Sequence, residues 1–345
     1  MKAMQLSIQR ARIVPATTVP LFSSVEQHLL LHRKRKLHST SAALHGGGNA
    51  DTAATAGQFE RQGPAPAKQG GISSLDYCIT QSKKLDYEHY LCGMYLPKEA
   101  RAPYSVLRAF NIETAIIKDI AKQAPLGLMR IQFWRDLVDK SFKGNPPEHP
   151  VAIQIAAMVP RYKWTRTWFT RILNKRAEDI EGRPMPTLAA LENFTEDTAS
   201  SLLYLTLESL RIRNMDADHA ASHIGKAVGI SFLLRGTPYH LQQRQTYLPM
   251  DLLAKHGVSE EAIYQGNLEH AQNLPEVVYE VASAAHAHLK HARELKSTVP
   301  KEAYSALYSS FIAEDYLNKL EKAKFNGSLG LQAKLLYNHY VGHKY

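Results

Sequence analysis

The sequence predicts an all-α fold, a helical bundle around a central cavity. Three observations predict it. From Ser73 onward apolar residues recur at helical spacing, as in Ile131, Trp134, Leu137, Val138 and Phe142. Sustained alternation of period two, bounded by turns, is almost nowhere found. The breaks are those of helices: Pro97, Gly144-Asn145-Pro146-Pro147 and Pro300 separate the periodic runs.

Residues 1–45 are basic, rich in Ser and Thr, and almost free of acids, which is the composition of a mitochondrial transit peptide. Residues 46–72 are Gly, Ala, Pro and Gln with little to bury, and read as a disordered linker. Gly46-Gly47-Gly48 is not a phosphate loop, because no Gly-Lys-Ser/Thr follows. The all-α domain then fills 73–345. A cap at Ser73 opens a helix to about Leu96. A second runs from Glu99, or from Tyr104 if Pro103 sets its first turn, to about Lys122. A third covers Leu126 to Phe142. Shorter helices follow near 149–159 and 163–181. The run from Leu188 to Ile212 is apolar nearly all round near its end, as a central buried helix would be. Asp218 to Leu234 carries the small residues Gly225, Ala227, Gly229 and Ser231, which allow close helix approach, and it breaks at Gly236 and Pro238. Helices at 275–297, 300–325 and 329–340 complete the domain.

The net charge of +10 is concentrated in the first fifty residues, so the remainder is weak evidence for a polyanion partner. Cys78 and Cys92 are too few for a disulfide framework or a cysteine zinc site. No apolar run approaches the ~18 residues of a spanning helix. Arg161 to Arg176 interleaves bases with Trp164, Trp168 and Phe169. It reads as a core helix rather than a single-strand binding surface, since Trp164, Trp168 and Ile172 form one face. In His286-Ala287-His288-Leu289-Lys290-His291 only His288 and His291 share a face, and no nearby acid completes a ligand set. These read as exposed, uncomplexed histidines.

Two stretches carry a family resemblance. Ala109 to Asp119, followed by Arg130-Ile131-Gln132-Phe133-Trp134-Arg135-Asp136, is the first. The second is Leu234-Arg235 with Arg244-Gln245-Thr246-Tyr247-Leu248-Pro249. Together they resemble the squalene/phytoene synthases, head-to-head prenyltransferases of the isoprenoid-synthase fold. The resemblance implies two Asp-x-x-x-Asp motifs, whose carboxylates four apart on one helical face hold Mg²⁺ against the substrate diphosphates. Here the first motif falls on Ala115 and Asp119, and the second on Gly236 and His240. Glu113 cannot substitute, because six residues from Asp119 it points off that face. Three of four carboxylates are missing, and Ala, Gly and His do not supply the oxygen ligands Mg²⁺ requires. The residues kept, Arg235, Arg244 and Tyr247, are the binding-pocket candidates.

With its basic leader, the chain resembles the mitochondrial branch of this family. That implies a non-catalytic protein, without cofactor, metal or nucleic acid, that assists assembly of respiratory complex I. Its partners would be complex I subunits or other assembly factors. It would work on the matrix side, peripheral to the inner mitochondrial membrane. Two alternatives stay open: a residual prenyl-diphosphate transferase, and an isoprenoid- or lipid-binding module.

Overall fold

The computed structural model describes residues 73–121, 123–265 and 271–323. The leader, the linker and the helix expected at 329–340 lie outside the described residues. Among the described residues the ordered elements are helices, and no strand occurs.

The chain opens with α1 (Ser74–Leu85), capped by the Ser73 hydroxyl, which accepts from the Asp76 amide. After α2 (Tyr87–Met94) and Pro97 comes α3 (Lys98–Ala115), then a single turn, α4 (Ile117–Ile120). Next are α5 (Ala124–Phe142), α6 (Pro150–Tyr162), α7 (Arg166–Ile180) and α8 (Leu188–Thr195). A π-helical turn (Glu196–Ser200) leads into α9 (Ser201–Ser209), and α10 (Met215–Gln242) follows. The remainder is α11 (Met250–Lys255), α12 (Glu260–Tyr264), α13 (Leu274–Glu294), two 3₁₀ segments (Leu295–Ser297 and Lys301–Leu307) and α14 (Ser309–Lys322).

Every residue of α9 is buried, as the all-round apolar pattern predicts. It divides the core in two. Leu202 and Leu205 face an N-terminal half built from α1, α3, α5, α6 and α7. Leu203, Tyr204 and Leu207 face a C-terminal half built around α10, α13 and α14. The first half centres on Phe110, whose ring meets Phe169 at 5.0 Å and Trp134 at 5.6 Å, both edge-on. Such a ring, fully buried, stabilises by roughly 1.5–3 kcal/mol. The stretch from Arg161 to Arg176 supplies core here. Trp164, Phe169 and Ile172 are buried and Trp168 packs on Tyr204. Its Arg171 and Arg176 are engaged by Asp197 and Asn111.

Five helices differ from the sequence expectation. The one expected from Glu99 to about Lys122 is interrupted at Ile116, between α3 and α4. The first expected helix is two, broken at Asp86. That residue leaves helical geometry to bury its carboxylate against Arg108 and His89. Burial alone would raise the Asp86 pKa, but Arg108 and His89 overcome it and hold the carboxyl well below its usual range. The helix from Leu188 contains the π turn. The helix from Pro300 is 3₁₀ until Tyr308. Most consequentially, α10 does not break at Gly236 and Pro238 but continues to Gln242. An internal proline costs about 3 kcal/mol in an isolated helix. Here Leu234 to Pro238 are all buried, and tertiary packing outweighs that cost. The short helices α11 and α12 had no counterpart in the sequence reading.

The small residues of α10 act as their spacing predicts. A Cβ on Gly225 would lie 2.4 Å from the Cα of Ser200, inside the π turn, and one on Gly229 would lie 2.6 Å from the Thr195 side chain. Glu196 ties the seam: it accepts from Tyr204 at 2.6 Å and from Ser222 at 2.7 Å. Gly225→Ala therefore forces backbone apart, and should lower the unfolding free energy by about 3 kcal/mol in urea titration. A loss below about 0.5 kcal/mol would show that the turn yields freely.

Candidate functional site

The candidate site lies where four segments meet: α4 with the end of α3, the last turn of α7, the last turn of α10, and the loop that carries Tyr247. Its centre is Lys118 on α4. The Lys118 ammonium donates to Asp179 Oδ1 at 2.7 Å and to the Tyr247 hydroxyl at 3.0 Å. Tyr247 in turn donates to Asp179 Oδ2 at 2.8 Å. The ammonium also lies 4.8 Å from the centre of the Tyr247 ring. Lys118 and Asp179 are largely shielded, with side chains 17% and 16% exposed, so the pair sits where charges interact strongly.

The surrounding groups extend this cluster. The His240 ring packs edge-on against Tyr247 at 4.9 Å, and Phe194 meets the same ring at 5.8 Å. Burial, with Lys118 nearby, pushes the His240 pKa down to about 4, so its imidazole is neutral at neutral pH. Burial and the Asp179 charge raise Tyr247 well above the usual phenol range, and it stays a donor. Asp119 stands at the rim, where its Oδ1 accepts from Tyr239 at 3.3 Å. Loss of water around its carboxyl raises its pKa to about 6. Arg176 Nη2 donates to Asn111 Oδ1 at 2.6 Å. Burial lowers Arg176 to about 10, which leaves it a cation.

The residues singled out in the sequence are not all gathered here. Ala115 is the last residue of α3, and the helix is interrupted between it and Asp119. Gly236 is buried within α10. Of the three pocket candidates, Tyr247 is at the centre. Arg235 is turned to α2, where Nη1 meets the Glu88 carboxylate at 2.9 and 3.0 Å and the guanidinium lies 4.4 Å from the Phe232 ring centre. Arg244 is exposed, 2.5 Å from Glu261 and stacked on Tyr264. Glu113 points off this face, as its spacing predicts, toward His149, the N-cap residue of α6, at 3.3 Å. Lys118, Asp179, Arg176 and Asn111 were not singled out. Asn111 and Arg176 lie on separate helices, and no local pattern marks Asp179 as their neighbour.

A family metal fits this arrangement poorly. Ala115 and Gly236 offer no side-chain donor, His240 offers a neutral nitrogen packed on a phenol ring, and Asp179 is already neutralised by Lys118. Mg²⁺ requires several oxygens in near-octahedral array. Among the described residues no group of three or more His, Cys, Asp or Glu side chains is arranged to hold a metal ion. The enclosed space lined by His89, Tyr104, Arg108, Leu202 and Val228 measures about 20 Å³, room for one water.

Comparison with known proteins was made on this footing. The family profile described as squalene/phytoene synthase matches residues 82–337. A rat protein named NADH dehydrogenase (ubiquinone) complex I, assembly factor 6 is 45% identical over 267 residues, covering 77% of this chain and 80% of the rat chain. The human protein of that name is 44% identical over 262 residues, covering 76% and 78%. Among solved structures, squalene synthase HpnC from Alicyclobacillus acidocaldarius superposes with a TM-score of 0.65 at 14% identity, covering 73% of this chain and 95% of that one.

The ion pair at the centre yields a test. Lys118→Met leaves the Asp179 carboxylate shielded and unpaired, and should cost about 1–3 kcal/mol of stability by chemical denaturation. Adding Asp179→Leu should restore part of that loss. A loss in the double variant equal to the sum of the two single-variant losses would mean that the two side chains act independently.

Proposed function

This chain belongs to the squalene/phytoene synthase family, and from that membership we propose that it is a non-catalytic member serving the assembly of respiratory complex I. One observation carries the proposal. Relatives named for that role are 44–46% identical over about three quarters of the chain. The site chemistry agrees with it. A synthase of this family needs carboxylates free to gather metal cations around a diphosphate. Here Asp119 is the one motif position that keeps a carboxylate, and it stands at the rim against Tyr239, while His240 is a neutral histidine and Ala115 and Gly236 offer no side-chain donor. The degraded Asp-x-x-x-Asp motifs are thus our reason to read it as a pseudoenzyme.

An assembly factor of complex I works in the mitochondrion, which agrees with the basic leader. We assign it to the matrix side, peripheral to the inner membrane, with complex I subunits or other assembly factors as partners. Among the described residues no helix is long and apolar enough to cross a membrane. No observation above favours the lipid-carrier reading. Residual prenyl transfer would need a different way to hold diphosphate.

Two measurements test the proposal. Disrupting the gene should reduce assembled complex I on native gels, together with its NADH oxidation. Normal assembly in the disrupted line would sink the assembly role. The purified protein with labelled farnesyl or geranylgeranyl diphosphate and Mg²⁺ should release no diphosphate, while a working synthase run in parallel does. Turnover would restore the transferase reading.

A further inference from the structure

Contrary to the sequence expectation, His288 is neither isolated nor fully exposed. The fold brings it against α10, and its side chain is 13% exposed. Its Nε2 lies 3.2 Å from Glu192 Oε1 on α8, and its Nδ1 lies 2.9 Å from His223 Nδ1. The other nitrogen of His223, Nε2, lies 3.2 Å from His219 Nε2 one turn earlier on α10. His291 completes the group, its ring 5.3 Å from that of His223. Lys226 is the nearest lysine, and it is drawn aside toward Glu196 at 3.8 Å. The cluster is separate from the Lys118 site: from His223 to His240 along α10 is about 25 Å at 1.5 Å per residue.

The contacts fix the tautomers in order. A carboxylate only accepts, so His288 Nε2 donates to Glu192. Neutral His288 then accepts at Nδ1, and His223 donates to it from Nδ1. That leaves the Nε2 lone pair of His223 directed at Nε2 of His219. We propose that His219 and His223 form a two-histidine clamp for a borderline divalent cation of the Zn²⁺, Cu²⁺ or Ni²⁺ class. In this arrangement Glu192 and His288 hold His223 in its ligating form.

Three arguments support it. Histidines at i and i+4 on one helical face are a recurrent zinc-binding pair. Two nitrogens on a tetrahedral zinc at ~2.0–2.1 Å stand about 3.3 Å apart, close to the 3.2 Å present here. A carboxylate passing orientation through a hydrogen-bonded histidine is the arrangement that tunes metal-bound imidazoles. Since no three such side chains converge among the described residues, water completes the shell. Imidazole donors select this class over Mg²⁺ or Ca²⁺.

The test uses the full chain without an affinity tag, titrated with Zn²⁺ against a chromophoric chelator. The wild type should bind one equivalent more tightly than His219→Ala, His223→Ala or the double variant, by at least tenfold. Glu192→Gln should weaken that equivalent about tenfold through orientation alone. Thermal melts without metal check folding, and His219→Ala, being exposed, should melt like wild type. Equal affinity in wild type and the His219→Ala variant would overturn the clamp, since the chain's 16 histidines could then account for binding. Absence of a tight equivalent in the wild type would overturn it as well. Unchanged affinity in Glu192→Gln would overturn the relay.

Discussion

The contact on which most of the structure depends is the close approach of α10 to the π turn. Two glycines on one face of α10 let its backbone lie against Ser200 and Thr195. The turn in turn widens one helical register, so that Glu196 can reach Tyr204, Ser222 and Lys226 together. With α10 held there, its two ends are placed without further adjustment. The first turns meet α13 and α8, where the histidines collect. The last turns reach α4 and α7, where Lys118 and Asp179 meet. A bulkier residue at Gly225 would shift both ends at once.

The scaffold was largely legible in the sequence, and the site only partly so. Period and punctuation gave the helical class, the central burial of α9 and the small-residue face of α10, because each is a local pattern. The continuation of α10 through Pro238 was not legible. A proline reads as a stop until it is known that Leu234 to Pro238 are buried among other helices. The break at Asp86 was hidden for the opposite reason. Its cause, Arg108, lies 22 residues away. The expected motif positions rest on resemblance, and the polar partners gathered near them have no local signal. Lys118 finds Asp179 across 61 residues and Tyr247 across 129, and no spacing rule spans those distances. The same holds for His223 and His288, separated by 65 residues.

Family membership and site chemistry carry different weight here. A shared fold at 14% identity speaks for architecture alone. What distinguishes this chain is which atoms fill the place where the reaction would occur. The polar cluster there is satisfied from within: the ammonium, the carboxylate and the phenol bind one another. Such a site stabilises a shape, and a surface of fixed shape is what a protein needs if it is to hold another polypeptide during assembly.

The Lys118 ammonium has one more consequence. A synthase site borrows its positive charge from solution, so its order rises and falls with free magnesium and with the supply of diphosphate. In this chain the compensating charge is covalently tethered. Charge balance at this pair is thereby met within the chain, independently of free magnesium.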